Sequence, residues 1–338
     1  MKILFIGGNG NISWYCVENA INLGNEVWEL NRGATLKTRR PIQQKVHKLT
    51  GDIRNVSEIN ELLKDLEFDV ICDFLCFNEE HAKNAIKMFE NKTKHYIYIS
   101  TESVFKRTKE NSPYNEMSPK YGKNETSSYI DGKLKAENMF LKQYKTTGFP
   151  VTIVRPGYTL DTILPYSIGN NCYTVAKRYL EGKPMLIAGD GFNIWTYTHS
   201  SDFANALCAI FGNPKTLGED YNIIGDERLT WNEILTIFAK ELKNTKPNFL
   251  YIPYEDCVKL TKFMPEDLMK QRMSNAIFDN SKIKELMPAW KSNIKMEKAI
   301  KATLDWLYED KDRIRINKEL DEKLEDLTKK YLELRNEK

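Results

Sequence analysis

Tyr129 and Lys133 stand four residues apart in the stretch SSYIDGKLKAE. On a helix that spacing places phenol and ammonium on one face. A nearby positive charge favours phenolate, and a phenol brought down from its free pKa of about 10 becomes an acid–base group near neutral pH. Spacing alone favours a plainer account, a solvated helix face, because 17 tyrosines and many lysines make such pairs common by chance. A second stretch, IGGNGNIS, carries Gly7, Asn9, Gly10, Asn11 and Ile12. Gly7 and Gly10 fall where a dinucleotide-binding turn needs a tight bend and a close approach of backbone to pyrophosphate. Ser13 takes the third glycine position of that pattern and is small enough to let a helix pack on the preceding strand. The helix beginning there offers amide donors and a partial positive charge to an anion.

Both stretches need a scaffold. Residues 2–7, 26–30, 45–49, 68–74, 95–100 and 150–156 read as strands, and 12–23, 56–65, 79–90 and 124–146 as helices. Such alternation predicts parallel strands, right-handed crossovers and helices on both faces. The expected fold class is α/β: a Rossmann-type doubly wound parallel sheet with a smaller α+β substrate lobe towards the C-terminus. The expected organisation is a dinucleotide-binding domain over 1–160 with a returning segment at about 195–222, a lobe over 161–194 and 223–312, and a charged helix over 313–338. In that helix Leu320, Leu324, Leu327, Tyr331 and Leu334 form a narrow seam. The seam spans only about two heptads, so packing on its own domain is preferred to an intermolecular pair, and a homodimer stays open.

A chain of 338 residues, 41% hydrophobic and 29% charged, has the make-up of a soluble globular protein. A net charge of +3 argues against a nucleic-acid partner. No apolar run approaches a membrane span. Met1-Lys2 leads straight into a strand, so no secretory signal is expected. Six scattered cysteines suggest reduced thiols and a cytoplasmic setting. The four histidines lack ligand spacing and leave Cys72 and Cys76 without metal partners, so no metal site is expected. At the end of the second strand, Asn31 stands where a carboxylate ordinarily accepts the adenosine ribose hydroxyls, and Arg32 follows. Losing the carboxylate removes a reason to reject a 2′-phosphate. Arg32 could pair with one, with Lys37, Arg39 and Arg40 nearby, so NADP is favoured over NAD.

Taken in order, the glycine turn, GDI at 51–53, YISTESVF at 98–105 and Tyr129-x-x-x-Lys133 resemble the extended short-chain dehydrogenase/reductase family, in its group of NAD-dependent epimerases and dehydratases. TIVRPG, the GDG at 189–191, HSSDFANAL and FDNSKIKELMP carry the resemblance to about Trp306. LNRG and IWTYTHSSDFA are similar to an atypical branch with relatives among chloroplast stem-loop RNA-binding proteins. The resemblance implies that Tyr129 transfers a proton, that Lys133 holds the nicotinamide ribose and lowers the tyrosine pKa, and that Thr101 hydrogen-bonds the reacting oxygen. It implies further that Asp52 and Ile53 flank the adenine, that Phe74 and Leu75 line the cofactor, and that the backbone after Pro156 approaches the nicotinamide.

Two departures shape the expected activity. Glu102-Ser103 stands where sugar dehydratases of the family carry Asp-Glu, so Glu102 is either a base without its partner acid or a plain loop carboxylate. Trp195 stands where many nucleotide-sugar members carry an arginine for the substrate diphosphate. Trp195 could stack on a base or sugar or be a buried aromatic, and Arg272 or Lys270 could supply the charge. His199 is expected to pack rather than react. The expected function is an NAD(P)-dependent oxidoreductase or epimerase acting on a nucleotide-activated sugar through a keto-sugar. The alternatives are reduction of a non-sugar carbonyl, and an RNA-binding or cofactor-sensing protein with a relic site. Intact Thr101, Tyr129 and Lys133 argue against the last.

Overall fold

The computed structural model describes residues 1–33, 39–108, 110–122, 125–170, 172–243 and 247–336. The first strands are β1 (Lys2–Ile6), β2 (Glu26–Asn31), β3 (His47–Thr50), β4 (Val70–Asp73), β5 (Tyr96–Ile99) and β6 (Val151–Pro156). They are followed by β7 (Tyr158–Leu160), β8 (Met185–Ala188), β9 (Ile194–His199), β10 (Asp220–Ile223), β11 (Arg228–Thr230) and β12 (Phe249–Ile252). The helices of the first half are α1 (Ser13–Asn22), α2 (Val56–Leu62), α3 (Glu79–Phe89) and α4 (Ser128–Thr147). Those of the second half are α5 (Thr174–Leu180), α6 (Ser200–Cys208), α7 (Trp231–Glu241), α8 (Tyr254–Leu260), α9 (Glu266–Arg272), α10 (Ser281–Leu286), α11 (Met296–Tyr308) and α12 (Lys318–Asn336).

The main sheet runs β10-β6-β5-β4-β1-β2-β3, every pair parallel. Side chains alternate across it, as strand geometry requires. Ile3 and Phe5 join Cys16, Val17, Phe203 and Leu207 on one face. Leu4 and Ile6 join Ile59, Ala82 and Phe140 on the other. The two faces are therefore covered by α1 with α6 and by α2, α3 and α4. Both faces buried explains why β1 and β4 read as unbroken apolar runs. The order reverses between β1 and β4, and that switch point opens a crevice beyond the carboxyl ends of the strands.

Local chemistry sets the element ends. Asn55 and Asn78 accept from Glu58 N and His81 N and so cap α2 and α3. Helix α4 begins at Ser128, after Ser127, whose N–H is held by Asp267 Oδ2 at 2.9 Å; residue 124, the expected start of the helix, lies outside the described residues. It ends at Gly148, whose φ of 77° suits a left-handed C-terminal residue.

Beyond β6, β9 pairs with β7 and β11, and β8 pairs with β12. A separate apolar core containing Trp231, Phe238, Ile300 and Leu304 lies here. The seam of α12 belongs to this core: Leu320, Leu324, Leu327 and Tyr331 are buried, and α12 packs on α5 and α8. Leu334 is only partly covered.

Candidate active site

Strand β4 ends in Asp73, whose carboxylate holds the next turn. Its Oδ1 accepts from Leu75 N at 2.6 Å and Cys76 N at 3.1 Å, and its Oδ2 accepts from the Tyr96 hydroxyl at 2.6 Å. This buried anchor, absent from the sequence reading, fixes Phe74 and Leu75 as a wall and aims the Cys76 carbonyl at α4. Gly132 lets α4 come close: a Cβ there would lie 2.5 Å from the Phe77 carbonyl oxygen. The next residue, Lys133, is 2% exposed and donates to the carbonyls of Cys76 at 2.7 Å and Ile99 at 2.8 Å. Burial lowers its ammonium pKa to about 8, against the pull of Cys76, Asp73 and Glu137.

Tyr129, one turn earlier on α4, is 42% exposed and lines the cleft with Thr101 and Glu102. Burial of its hydroxyl end raises the phenol above its ordinary range. A hydrogen bond with Thr101 opposes that shift and the Glu102 carboxylate adds to it. Lys133, expected to lower that pKa, is not among the groups acting on the phenol here, since its ammonium is spent on two carbonyls. Glu102 is also committed. It is buried and ion-paired with Arg107, whose guanidinium is 1% exposed, donates to the Gln271 carbonyl and stacks 4.9 Å from the Trp195 ring. Arg107 carried no signal in the sequence, because its partners come from 102, 195 and 271.

The glycine turn borders the same cleft, a cavity of about 650 Å³. Gly7 has φ +82°, and a Cβ on it would strike the Leu75 side chain at 2.8 Å. Gly10 differs: the nearest atom to an added Cβ is Ser13 Oγ at 3.2 Å, with little else around it. Internal packing does not demand glycine there, but a ligand approaching the bare backbone would. Ser13 Oγ donates to the Gly7 carbonyl at 2.7 Å, so the serine in the third position ties the turn to the helix. Asn11 spends its side chain on the scaffold, donating to Thr159 O at 3.0 Å and accepting from Thr162 N at 2.9 Å. Gly10, Asn11, Ile12, Phe74 and Leu75 all line the cleft.

A second cavity of about 250 Å³ adjoins it, lined by Gly7, Asn9, Asn31, Arg32, Asp52 and Ile53. Asn31 is held from behind by Glu29, a buried carboxyl whose pKa burial raises. These two cavities, joined at Gly7 and Leu75, fit a dinucleotide in extent and in their exposed backbone. Pro156 itself is buried in β6, and the chain after it, Gly157, Tyr158 and Thr159, lines the cleft.

Trp195 also lines the cleft; it is 4% exposed and donates to Ser274 O at 3.1 Å. Arg272 lies 4.8 Å from the rings of Tyr158 and Trp195, 4.9 Å from Tyr166 and 5.4 Å from Trp231. Its Nη1 is buried without a hydrogen-bond partner among the described residues. Lys270 instead pairs with Glu266 on the surface. His199 caps α6 through Ser201 and packs on Tyr15. Lys37 lies outside the described residues. Among those described, no group of His, Cys, Asp or Glu is arranged to hold a metal, and no helix is long and apolar enough to cross a membrane.

Residues 3–223 match the family model described as NAD dependent epimerase/dehydratase. The chain belongs to that family. It is thus an NAD-dependent enzyme of the short-chain dehydrogenase/reductase type. It is 22% identical to a probable dTDP-glucose 4,6-dehydratase of Sinorhizobium fredii, over 91% of this chain and 93% of the relative. It is 24% identical to a chloroplast stem-loop binding protein of 41 kDa from Arabidopsis thaliana, over 71% of this chain and 62% of the relative. The fold is shared with UDP-glucuronic acid 4-epimerase from Bacillus cereus, with a TM-score of 0.72 and 18% identity over 91% of this chain and 99% of that one.

Proposed function

We propose that this enzyme oxidises and re-reduces, or simply reduces, a sugar carbon of a nucleotide-activated sugar, by way of a keto-sugar. One observation carries the reading: Thr101, Tyr129 and Arg272, the last with an unpartnered buried N–H, line one cleft. A guanidinium held by aromatic rings and short of an acceptor suits a diphosphate. It supplies the charge that Trp195, in the usual arginine position, does not. The names of the relatives, a dTDP-glucose dehydratase and a UDP-glucuronic acid epimerase, support the same substrate class.

The family's cofactor, when bound, would supply hydride transfer to or from the substrate carbon. Gly7, Asn9, Gly10 and Ile12 would hold its pyrophosphate, Asp52 and Ile53 its adenosine, and Lys133 its ribose after releasing a carbonyl. Thr101 orients the reacting oxygen. Tyr129, protonated as it stands, gives a proton to a carbonyl oxygen in the reducing direction. In the oxidising direction it would accept one as the phenolate, after losing its own proton to solvent, a form that a cationic ring beside it favours. Glu102, neutralised by Arg107, is a poor second base, which favours epimerisation or reduction over loss of water. Asn31 and exposed Arg32 beside the adenosine cavity favour NADP, and Arg32→Ala should then lower NADP affinity about ten- to hundredfold and spare NAD. Six free thiols support a reducing, cytoplasmic setting.

The test is a panel of nucleotide sugars incubated with each cofactor, with products read by mass spectrometry. The expected product is an isomer or a reduced sugar. A product lighter by one water would move the enzyme to the dehydratases, and no turnover or thermal shift with any nucleotide sugar would sink the substrate class.

A further inference from the structure

The main cleft and the adenosine cavity share a third neighbour. A cavity of about 350 Å³ runs from Gly10 and Asn11 to Tyr173 and Trp306. Arg39 borders all three. Its Nη1 lies 3.4 Å from Asn9 Oδ1, and no carboxylate among the described residues pairs with it. Its neighbour Arg40 is the reverse case, a fully committed guanidinium. Arg40 Nε lies 2.8 and 3.1 Å from the two oxygens of Asp161, and its Nη2 lies 2.5 Å from Oδ1. The Asp161 side chain is 1% exposed. The Arg40 guanidinium also faces the rings of Trp14 at 5.0 Å and Tyr15 at 5.4 Å, while Trp14 Nε1 donates to Pro41 O at 2.8 Å. Residues 40 and 41 are thus pinned to α1 and to the start of the loop after β7, with one free arginine next to the pin.

Resting on the cofactor reading above, we infer that Arg39 clamps the pyrophosphate of the dinucleotide and that the Arg40–Asp161 pair positions it. A dinucleotide laid across the two joined cavities has its adenosine in one and its nicotinamide in the other. The group at the join is the pyrophosphate, and the one free cation bordering both sides there among the described residues is Arg39. A 2′-phosphate would lie in the adenosine cavity alone, beside Arg32. This reassigns Arg39 and Arg40 from the basic loop expected around a 2′-phosphate. Pinning by Arg40 lowers the ordering cost of bringing Arg39 onto an anion.

Isothermal titration of the full chain with NAD, NADP, ADP and adenosine tests this. Arg39→Ala should weaken NAD, NADP and ADP alike, about ten- to hundredfold, and leave adenosine unchanged. Arg40→Ala should weaken the same three, and adding Arg39→Ala to it should cost little more, a non-additive cycle. If Arg40→Ala leaves Asp161 unpaired and does not fold, Arg40→Ala with Asp161→Asn makes the same comparison. Unchanged NAD affinity in Arg39→Ala overturns the clamp, as does a loss confined to NADP or an equal loss for adenosine. Gly10→Val separates this from the cofactor reading: it should abolish dinucleotide binding whether or not Arg39 takes part, and its failure to do so places the dinucleotide elsewhere.

Discussion

In the proposed mechanism the proton at the reacting oxygen depends on one phenol, Tyr129. Tyr129→Phe keeps the ring and removes the hydroxyl, so the protein should fold and bind cofactor while turnover falls by ~10²–10⁴-fold. Thr101→Val should cost less, since it removes one orienting hydrogen bond. Lys133→Met has a different expected signature. It strips the donor from two buried carbonyls, so stability should fall by about 1–3 kcal/mol in addition to any loss of cofactor affinity. Chemical denaturation and cofactor titration on the same variant separate the two effects, and a Lys133→Met protein of unchanged stability would contradict the contacts described. At this scale the types and positions of Thr101, Tyr129 and Lys133 were legible because they lie within short motifs. What Lys133 actually touches was not, since Cys76 in the turn after β4 and Ile99 at the end of β5 reach it from distant parts of the chain.

Elements are tied to the sheet by a few expensive contacts. Glu137 of α4 is bonded twice to Arg155 of β6 at 2.8 Å, Arg155 reaches Asp220 of β10 at 2.7 Å, and Ser100 Oγ donates to Glu137 at 2.6 Å. Arg155 is fully buried. Arg155→Met would leave the buried Glu137 with only Ser100 and, at 3.9 Å, Lys120, and should cost about 3–5 kcal/mol by urea denaturation. A loss below 1 kcal/mol, typical of surface pairs, would show that the network is solvated. Helix α12 is held in another way. Its apolar seam is buried on α5 and α8, and Arg178, 2% exposed, pairs with Asp321 at 2.7 Å and Glu325 at 3.1 Å. Leu324→Ala should cost about 2–5 kcal/mol and speed proteolysis of the last turns. Were the seam an intermolecular contact, the same change would instead lower the molecular mass in solution. The sequence showed the seam, but its 4-3-4-3 spacing is the same for either partner; only the neighbouring helices decide.

At the scale of the whole molecule, one buried histidine should make stability depend on pH. His95 is 2% exposed, accepts from Gly212 N at 3.2 Å and contacts Thr152 Oγ1 at 2.8 Å, and burial lowers its pKa to about 4. Unfolded, it would titrate near 6.5. Its neutral form therefore contributes fully above that value. As pH falls from about 6.5 towards 4 the unfolded chain takes up a proton that the folded chain refuses, and stability drops by roughly 2 kcal/mol between pH 7 and 5. Denaturation midpoints across that window should show the slope, and His95→Gln should flatten it; an unchanged slope would place the titrating group elsewhere. By itself the sequence determined the α/β class, the strands up to β6, the glycine turn and the tyrosine helix. Each is local: burial on both faces writes an apolar run, a helix writes its period, and a turn writes its glycines. Tertiary structure alone decided the states of the polar groups. Glu102 is bound by Arg107, Asn11 by Thr159 and Thr162, Arg40 by Asp161, and Arg272 is enclosed by four aromatic rings while Arg39 stays open. A charged side chain reads the same in sequence whether it is paired or free. Its pairing depends on which distant residue the fold delivers within about 3 Å, a distance that no spacing along the chain encodes.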